Sequence, residues 1–379
     1  MNITINNSLA GSLELLKPTI SPHLIAPQCW HQIESVAAVL PSAISDFFGF
    51  ECRMGKEKAC ADFLICADAQ QLGRKVLADD KYSATLPSAL YDCSIWQQIN
   101  NFSQQWNNPN SPLYEGVNNI WLEFDIDESL GGTPVPSCFF GPQPIYSNSD
   151  ARWTIDRALK LLQNKAVPQA TATQILNCFK LLPKDAYVFQ IGVMLARKSD
   201  LARICIRNIS PEATLEYLTA LNWQGSINGL KQTLEQLSTY ADRIDLDIDV
   251  GESILSKIGL ECYLEKQPKY NPKWQLFLDY LVEAGFCTQQ KRDSLLTYTG
   301  YVRGMKTKLV GNGAEKAFSL SDIGYKRVFF KGLHHVKVTY KETKALEAKA
   351  YLYVNRQLIT PEFTKSYRTR RKSTSLVGS

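Results

Sequence analysis

The feature that most constrains this chain is an apolar–polar alternation that recurs in short paired stretches. Leu122 and Phe124 oppose Glu123 and Asp125. Ile204 and Ile206 oppose Arg203, Cys205 and Arg207, and the aliphatics of residues 244–250 oppose Asp245, Asp247 and Asp249. Ile258, Leu260, Cys262 and Leu264 oppose Glu261, Tyr263 and Glu265. Val336 and Val338 oppose His335, Lys337 and Thr339, and Ala348, Ala350 and Leu352 oppose Lys349, Tyr351 and Tyr353. A period of two belongs to strands, and it gives each one an apolar and a polar face.

The strands are predicted in five pairs: 48–55 with 61–68, 119–127 with 135–142, 187–195 with 201–209, 243–251 with 257–265, and 333–341 with 347–355. Members of a pair are close enough in sequence to form antiparallel hairpins. Helical periodicity fills the spaces between pairs, over 30–47, 70–79, 87–106, 150–163, 171–182, 211–221, 227–241, 272–285 and 288–298. Ser210-Pro211 opens one of these helices in the favoured order of an N-cap followed by an N1 proline. No element is assigned over 300–332. The units differ in sequence, so the repeat is one of architecture, not a solenoid.

Helices need an apolar surface to pack on, and the aliphatic strand faces supply it. The polar faces then look away from the helices. Ten strands in one sheet tend to curl or close, and closure removes the exposed edges. The expected fold class is therefore α+β: five αββα units making a ten-stranded antiparallel barrel, polar inside and ringed by helices. The alternative is one or two open sheets whose polar face is solvated. The expected division is an N-terminal extension over 1–29, a single barrel domain over 30–358, and a basic, disordered tail over 359–379.

Charge narrows the function. The chain has 42 basic and 37 acidic residues. The five basic residues of the segment 365–379 account for the whole excess, which leaves the body balanced and argues against nucleic-acid binding. No apolar run reaches the roughly 18 residues of a membrane helix, and the N-terminus lacks the shape of a signal peptide. A cytoplasmic protein without a membrane span is expected. Ten cysteines without a C-x-x-C pair read as structural thiols. No phosphate-binding glycine loop of the P-loop or dinucleotide type is present, and there is no DDxxD run. His334 and His335, side by side at the start of a strand, read as lumen or surface polar residues.

With Phe50 to Arg53 reading FECR, Arg203 to Arg207 reading RICIR, residues 336–340 reading VKVTY and residues 349–353 reading KAYLY, the chain resembles the αββα, or ABBA, prenyltransferases. That family includes fungal indole prenyltransferases and cyanobactin peptide prenyltransferases. The resemblance covers about residues 30–355 and is one of architecture. It implies that basic and tyrosine residues on lumen strands hold a prenyl diphosphate and screen an allyl cation, while a glutamate on an early strand serves the acceptor. Carried onto this chain, it implies Arg53, Arg203, Arg207, Lys337, Lys349, Tyr351 and Tyr353 for the diphosphate. Tyr263 joins Tyr351 and Tyr353 as a shield for the cation. Glu51 is the expected acceptor-side base, with Glu123 second. The chain departs from the family in three places: only the fifth pair has a clear K-x-Y-x-Y strand, the fourth carries three aspartates, and 300–332 has no counterpart.

Arginine and lysine stabilise a departing diphosphate through charge-assisted hydrogen bonds, and tyrosine faces stabilise a carbocation. Each basic residue reads equally well as the partner of a lumen acid. Asp245, Asp247 and Asp249 offer oxygen ligands suited to Mg²⁺, or else form a solvated rim. The expected partners are a prenyl diphosphate and an aromatic, peptide or small-molecule acceptor. A non-catalytic ligand-binding barrel, or the same barrel with another transfer chemistry, is the competing expectation. The basic tail is expected to be a solvated end, with an acidic leader peptide as a conceivable partner.

Overall fold

The structure is a computed structural model, and it describes residues 8–78, 86–126, 133–145, 148–197, 199–304 and 326–359. Helices α1 (Ala10–Leu16) and α2 (Pro27–Ala38) precede strands β1 (Phe47–Arg53) and β2 (Ala61–Asp68). Helices α3 (Gly73–Ala78) and α4 (Ser94–Asn107) lead to β3 (Val117–Phe124) and β4 (Ser137–Pro142). Next come α5 (Asn148–Trp153), continued by a π-helical turn into α6 (Lys160–Gln163), and α7 (Gln169–Lys180). Strands β5 (Tyr187–Val193) and β6 (Ala202–Arg207) are followed by α8 (Pro211–Ala220) and α9 (Ile227–Ser238). Strands β7 (Arg243–Val250) and β8 (Ile254–Tyr263) are followed by α10 (Lys273–Glu283) and α11 (Gln289–Thr297). A short β9 (Gly300–Arg303) precedes the long hairpin of β10 (Lys326–Lys341) and β11 (Lys344–Ile359).

All pairings are antiparallel. They run β1 to β8 in order, then β10 and β11, and β11 returns to β1 from Phe47↔Asn355 to Arg53↔Lys349. Ten strands therefore close into a barrel, and the open-sheet alternative is excluded. β9 stands outside the closure, paired with the first part of β10. This part of the chain departs from expectation, since the fifth pair is longer than its alternation indicates and β9 is an additional strand. The residues KRVFFKGL (326–333) break the period-two pattern, so no strand was legible there. Gln267 bridges the gap between β8 and β9 along β10: its side-chain amide donates to the Leu333 carbonyl (2.9 Å) and accepts from the Leu333 N–H (2.8 Å). One side chain thus replaces a missing strand peptide.

The core lies between barrel and helices, as the alternation requires. On β3, Ile120, Leu122 and Phe124 are buried outward. α4 meets them with Trp96, Ile99, Phe102 and Trp106, spaced as one helical face. Trp96 packs on Phe124 and Phe102 on Phe140, with ring centroids at 6.4 and 5.6 Å. Leu9, Leu13, Leu16, Leu24 and Ile25 join this same core, so residues 8–29 are packed against the barrel rather than standing apart. The helix expected over 30–47 ends at Ala38 instead, because Pro41 cannot continue it. Ser210 caps α8 as expected, accepting from the Ala213 N–H at 3.1 Å. The ten cysteines are free thiols, nine of them buried. Among the described residues no helix is long and apolar enough to cross a membrane. The tail over 360–379 lies outside the described residues.

Candidate active site

The lumen has a wide aromatic end and a narrow charged end. Its wide end holds a cavity of about 470 Å³. Phe47, Trp121, Phe139, Phe189, Tyr263, Tyr351 and Tyr353 give it aromatic walls, and Arg203, Arg207, Lys337, Asp247 and Glu261 line it as well. A much smaller polar pocket of about 50 Å³ lies toward the narrow end, walled by Glu51, Arg197, Asp249, Lys257 and Lys349 among others. Glu123, Arg203, Asp247, Lys337 and Tyr351 border both spaces. These five side chains form a partition across the barrel.

Register determines which charges meet. Arg203 lies opposite Asp249 across β6 and β7 and grips it with two bonds of 2.8 and 2.9 Å. Arg207 donates to Asp245 (2.8 Å), which also accepts from Arg243 (2.9 Å). Lys337 bonds Asp247. Gly259 permits that contact, because a Cβ there would fall 2.4 Å from the Lys337 Cε and 3.0 Å from the Asp247 Oδ2. Glu51 accepts from Lys349 (2.6 Å) and from the Tyr351 hydroxyl. Arg53 holds Asp62 through bonds of 2.9 and 3.0 Å, and Asp62 also accepts the Ile126 N–H. The lumen cations expected to bind a diphosphate are thus each engaged by a carboxylate.

Position sorts the expected site residues. Arg203, Arg207, Lys337, Tyr351, Tyr353 and Tyr263 border the wide cavity, and Glu123 reaches it too. Lys349 and Glu51 border the polar pocket instead, and Arg53 lies beyond them on β1 against Asp62. Asp245 is wholly buried. The three aspartates of β7 answer to different cations, and among the described residues no group of three or more His, Cys, Asp or Glu side chains is placed to hold a metal ion.

The lumen carboxyls differ sharply in proton affinity. Burial pulls Glu51 upward, but Lys349, with Tyr351 and Lys337, holds it down to about 2. Burial, reinforced by the Glu51 charge, pushes Glu123 up to about 8, although the Arg203 and Lys337 charges pull the other way. Burial and the neighbouring Glu261 raise Asp247 to about 6 in spite of Lys337. At neutral pH Glu51 is therefore ionised and Glu123 is protonated.

The residues that sequence reading left without a role are His334 and His335. The β10–β11 register shifts between Leu333 and His335, making His334 the extra residue of a bulge. Both imidazoles consequently line the wide cavity. Two consecutive polar residues in an otherwise alternating strand were the available signal.

Ten antiparallel strands closed around a polar lumen and wrapped by helix pairs make this an αββα barrel protein, the architecture the strand pattern resembles. No protein-family description matches the chain, and no curated protein does. Among solved structures it is similar to the crystal structure of AnaPT from Neosartorya fischeri, at 14% identity over 92% of this chain and 91% of that chain, with a TM-score of 0.46. The barrel assignment rests on the chain's own strand pairings.

Proposed function

We propose that this barrel transfers an allylic group from a prenyl diphosphate to an aromatic, peptide or small-molecule acceptor held in the wide half of the lumen. The observation that carries this reading is the meeting of two environments in one cavity: π faces on the walls, Arg203 and Lys337 at the partition, and Arg207 among the rings, its guanidinium 3.9 Å from the Phe189 centroid. Binding a hydrocarbon needs no cations, and binding an anion needs no aromatic wall. An allyl cation beside a diphosphate uses both.

In this reading the diphosphate lies on the partition and its allyl chain points toward Tyr263, Tyr351 and Tyr353. The allylic C–O bond breaks with both electrons leaving on the diphosphate. The acceptor supplies the electrons of the new bond and then loses a proton. The diphosphate must compete with Asp245, Asp247 and Asp249 for their cations, and proton uptake by Asp247 releases Lys337 for it. Glu123, already neutral, does not repel the anion and donates a hydrogen bond to it. Glu51, engaged by Lys349 and Tyr351, positions those two groups.

Calorimetric titration with dimethylallyl and geranyl diphosphates tests this. Saturable binding is expected, weakened at least about tenfold in Arg203→Ala and Arg207→Ala, the scale of one charge-assisted hydrogen bond. Failure of both diphosphates to bind overturns the reading. The neutralised cations favour a second reading, a barrel that holds its ligand without turning it over. Under that reading the bound ligand is recovered with its mass unchanged.

A further inference from the structure

The Nδ1 atoms of His334 and His335 lie 2.7 Å apart. A neutral imidazole has one N–H, so one ring donates from Nδ1 and the other accepts there. The surroundings decide which. His335 Nε2 is buried without a hydrogen-bond partner and faces Glu261 Oε1 at 3.5 Å. A bare nitrogen lone pair aimed at a carboxylate is repelled, whereas an N–H is attracted. His335 therefore carries its proton on Nε2 and accepts at Nδ1, and His334 donates from Nδ1. That leaves His334 Nε2 as an open proton acceptor on the one exposed side chain of this stretch of β10.

The rings are held in place. His335 stacks on Tyr351 with centroids 4.2 Å apart and lies 4.7 Å from Tyr263, while His334 stands edge-on to Tyr263 at 5.4 Å. Glu261 is fixed by the Tyr263 hydroxyl at 2.7 Å.

We propose that His334, His335 and Glu261 form a proton relay that takes the acceptor's proton as the new bond forms. His334 Nε2 accepts the proton, and the electrons of the broken acceptor–hydrogen bond stay with the acceptor. The Nδ1 proton of His334 passes to His335 Nδ1. The imidazolium on His335 then faces the Glu261 carboxylate. His334 is the catalytic residue of the three; the other two act through it. The groups around the pair are Glu261 and Tyr263 on β8, Tyr351 and Tyr353 on β11, Arg207 on β6, Arg243 on β7 and Lys337 on β10. Glu261, fixed by the Tyr263 hydroxyl and 3.9 Å from the Lys337 ammonium, is the carboxylate that faces the arriving charge.

The relay rests on the transferase reading, and two measurements separate the failure of one from that of the other. Imidazole ¹⁵N–¹H correlation spectra of the full chain near pH 7 are expected to show Nδ1–H on His334 and Nε2–H on His335, with the His334 signal lost in His335→Phe. Reversed tautomers overturn the relay whatever the enzyme does. The second measurement follows dimethylallyl diphosphate turnover with a panel of indole and phenol acceptors. His334→Gln is expected to transfer at least about 100-fold more slowly, the scale of general base catalysis. It should still release dimethylallyl alcohol from the diphosphate and should acquire a deuterium isotope effect at the acceptor carbon. Wild-type transfer matched by His334→Gln overturns the relay alone. No transfer by the wild type to any acceptor overturns the transferase reading, and the relay with it.

Discussion

Lys337→Met removes the cation from the most enclosed ion pair of the partition while keeping an unbranched side chain of similar length. Asp247 is 2% exposed and its Oδ1 already lacks a hydrogen-bond partner, so the carboxylate left behind has little to replace the ammonium. Deleting one partner of a buried pair costs about 3–5 kcal/mol when the remaining charge must stay ionised. Asp247 has an escape, because its proton affinity is already raised to about 6. Without Lys337 it rises further, and the group takes up a proton instead. Between pH 6 and pH 8 that proton becomes costlier by about 1.4 kcal/mol per unit. The destabilisation is therefore expected to be slight at pH 6 and about 3 kcal/mol at pH 8. At about 2.1 cal/mol/K per residue, the 379 residues give an unfolding entropy of roughly 0.8 kcal/mol/K, so Tm falls by about 4 °C at pH 8. Thermal melts at the two pH values measure this, and Lys337→Met combined with Asp247→Asn should recover most of the loss at pH 8. An equal fall at both pH values, or a double variant no better than the single, refutes the reasoning.

Three further predictions concern Glu123 and Gly49. Glu123→Gln keeps a neutral hydrogen-bond donor and is expected to retain diphosphate affinity within about threefold, whereas Glu123→Ala loses about tenfold. A Gln variant as weak as the Ala variant would refute the hydrogen bond from this residue to the diphosphate. The same group fixes a sign in stability. Its folded value of about 8 exceeds its ordinary 4.5, so its contribution is complete below about pH 4.5 and lost as pH rises through 8, and Glu123→Gln should flatten that decline in urea unfolding. Gly49→Ala should open the β1–β11 seam, because the new Cβ would meet the Leu352 carbonyl oxygen at 2.1 Å. A loss near about 3 kcal/mol is expected, against less than about 0.5 kcal/mol for Gly300→Ala, where nothing lies within 4 Å.

Much of the fold was legible because strand faces obey a local rule. Leu122 and Glu123 announce opposite faces whatever their neighbours, and the five pairs of strands follow from that alternation. Which acid meets which base is not a local property. Arg203 meets Asp249, and Lys337 meets Asp247, because strand register and barrel closure bring together residues 46 and 90 positions apart. The separation of Arg53 and Lys349 from the wide cavity follows from depth along the barrel, which the period of two does not encode. The bulge at His334 shows the opposite case, a site feature written in the sequence as a broken pattern. β9 left no such mark, since its four residues carry no alternation of their own.

The Phe47↔Asn355 pairing that completes the ring gives the protein a definite order of assembly during synthesis. The ribosome makes β1 early and β11 only after every other described strand, so β1 leaves the tunnel with one edge unsatisfied and keeps it so while some 300 further residues are added. Until β11 arrives, the growing chain is a curved open sheet with charged side chains on its concave face and a free hydrogen-bonding edge at each end. Those buried ion pairs that need the fifth hairpin, Lys349 with Glu51 and Lys337 with Asp247, form last. A chain halted before residue 344 would carry Glu51 without Lys349, and its exposed edges would make it a ready substrate for chaperones and proteases.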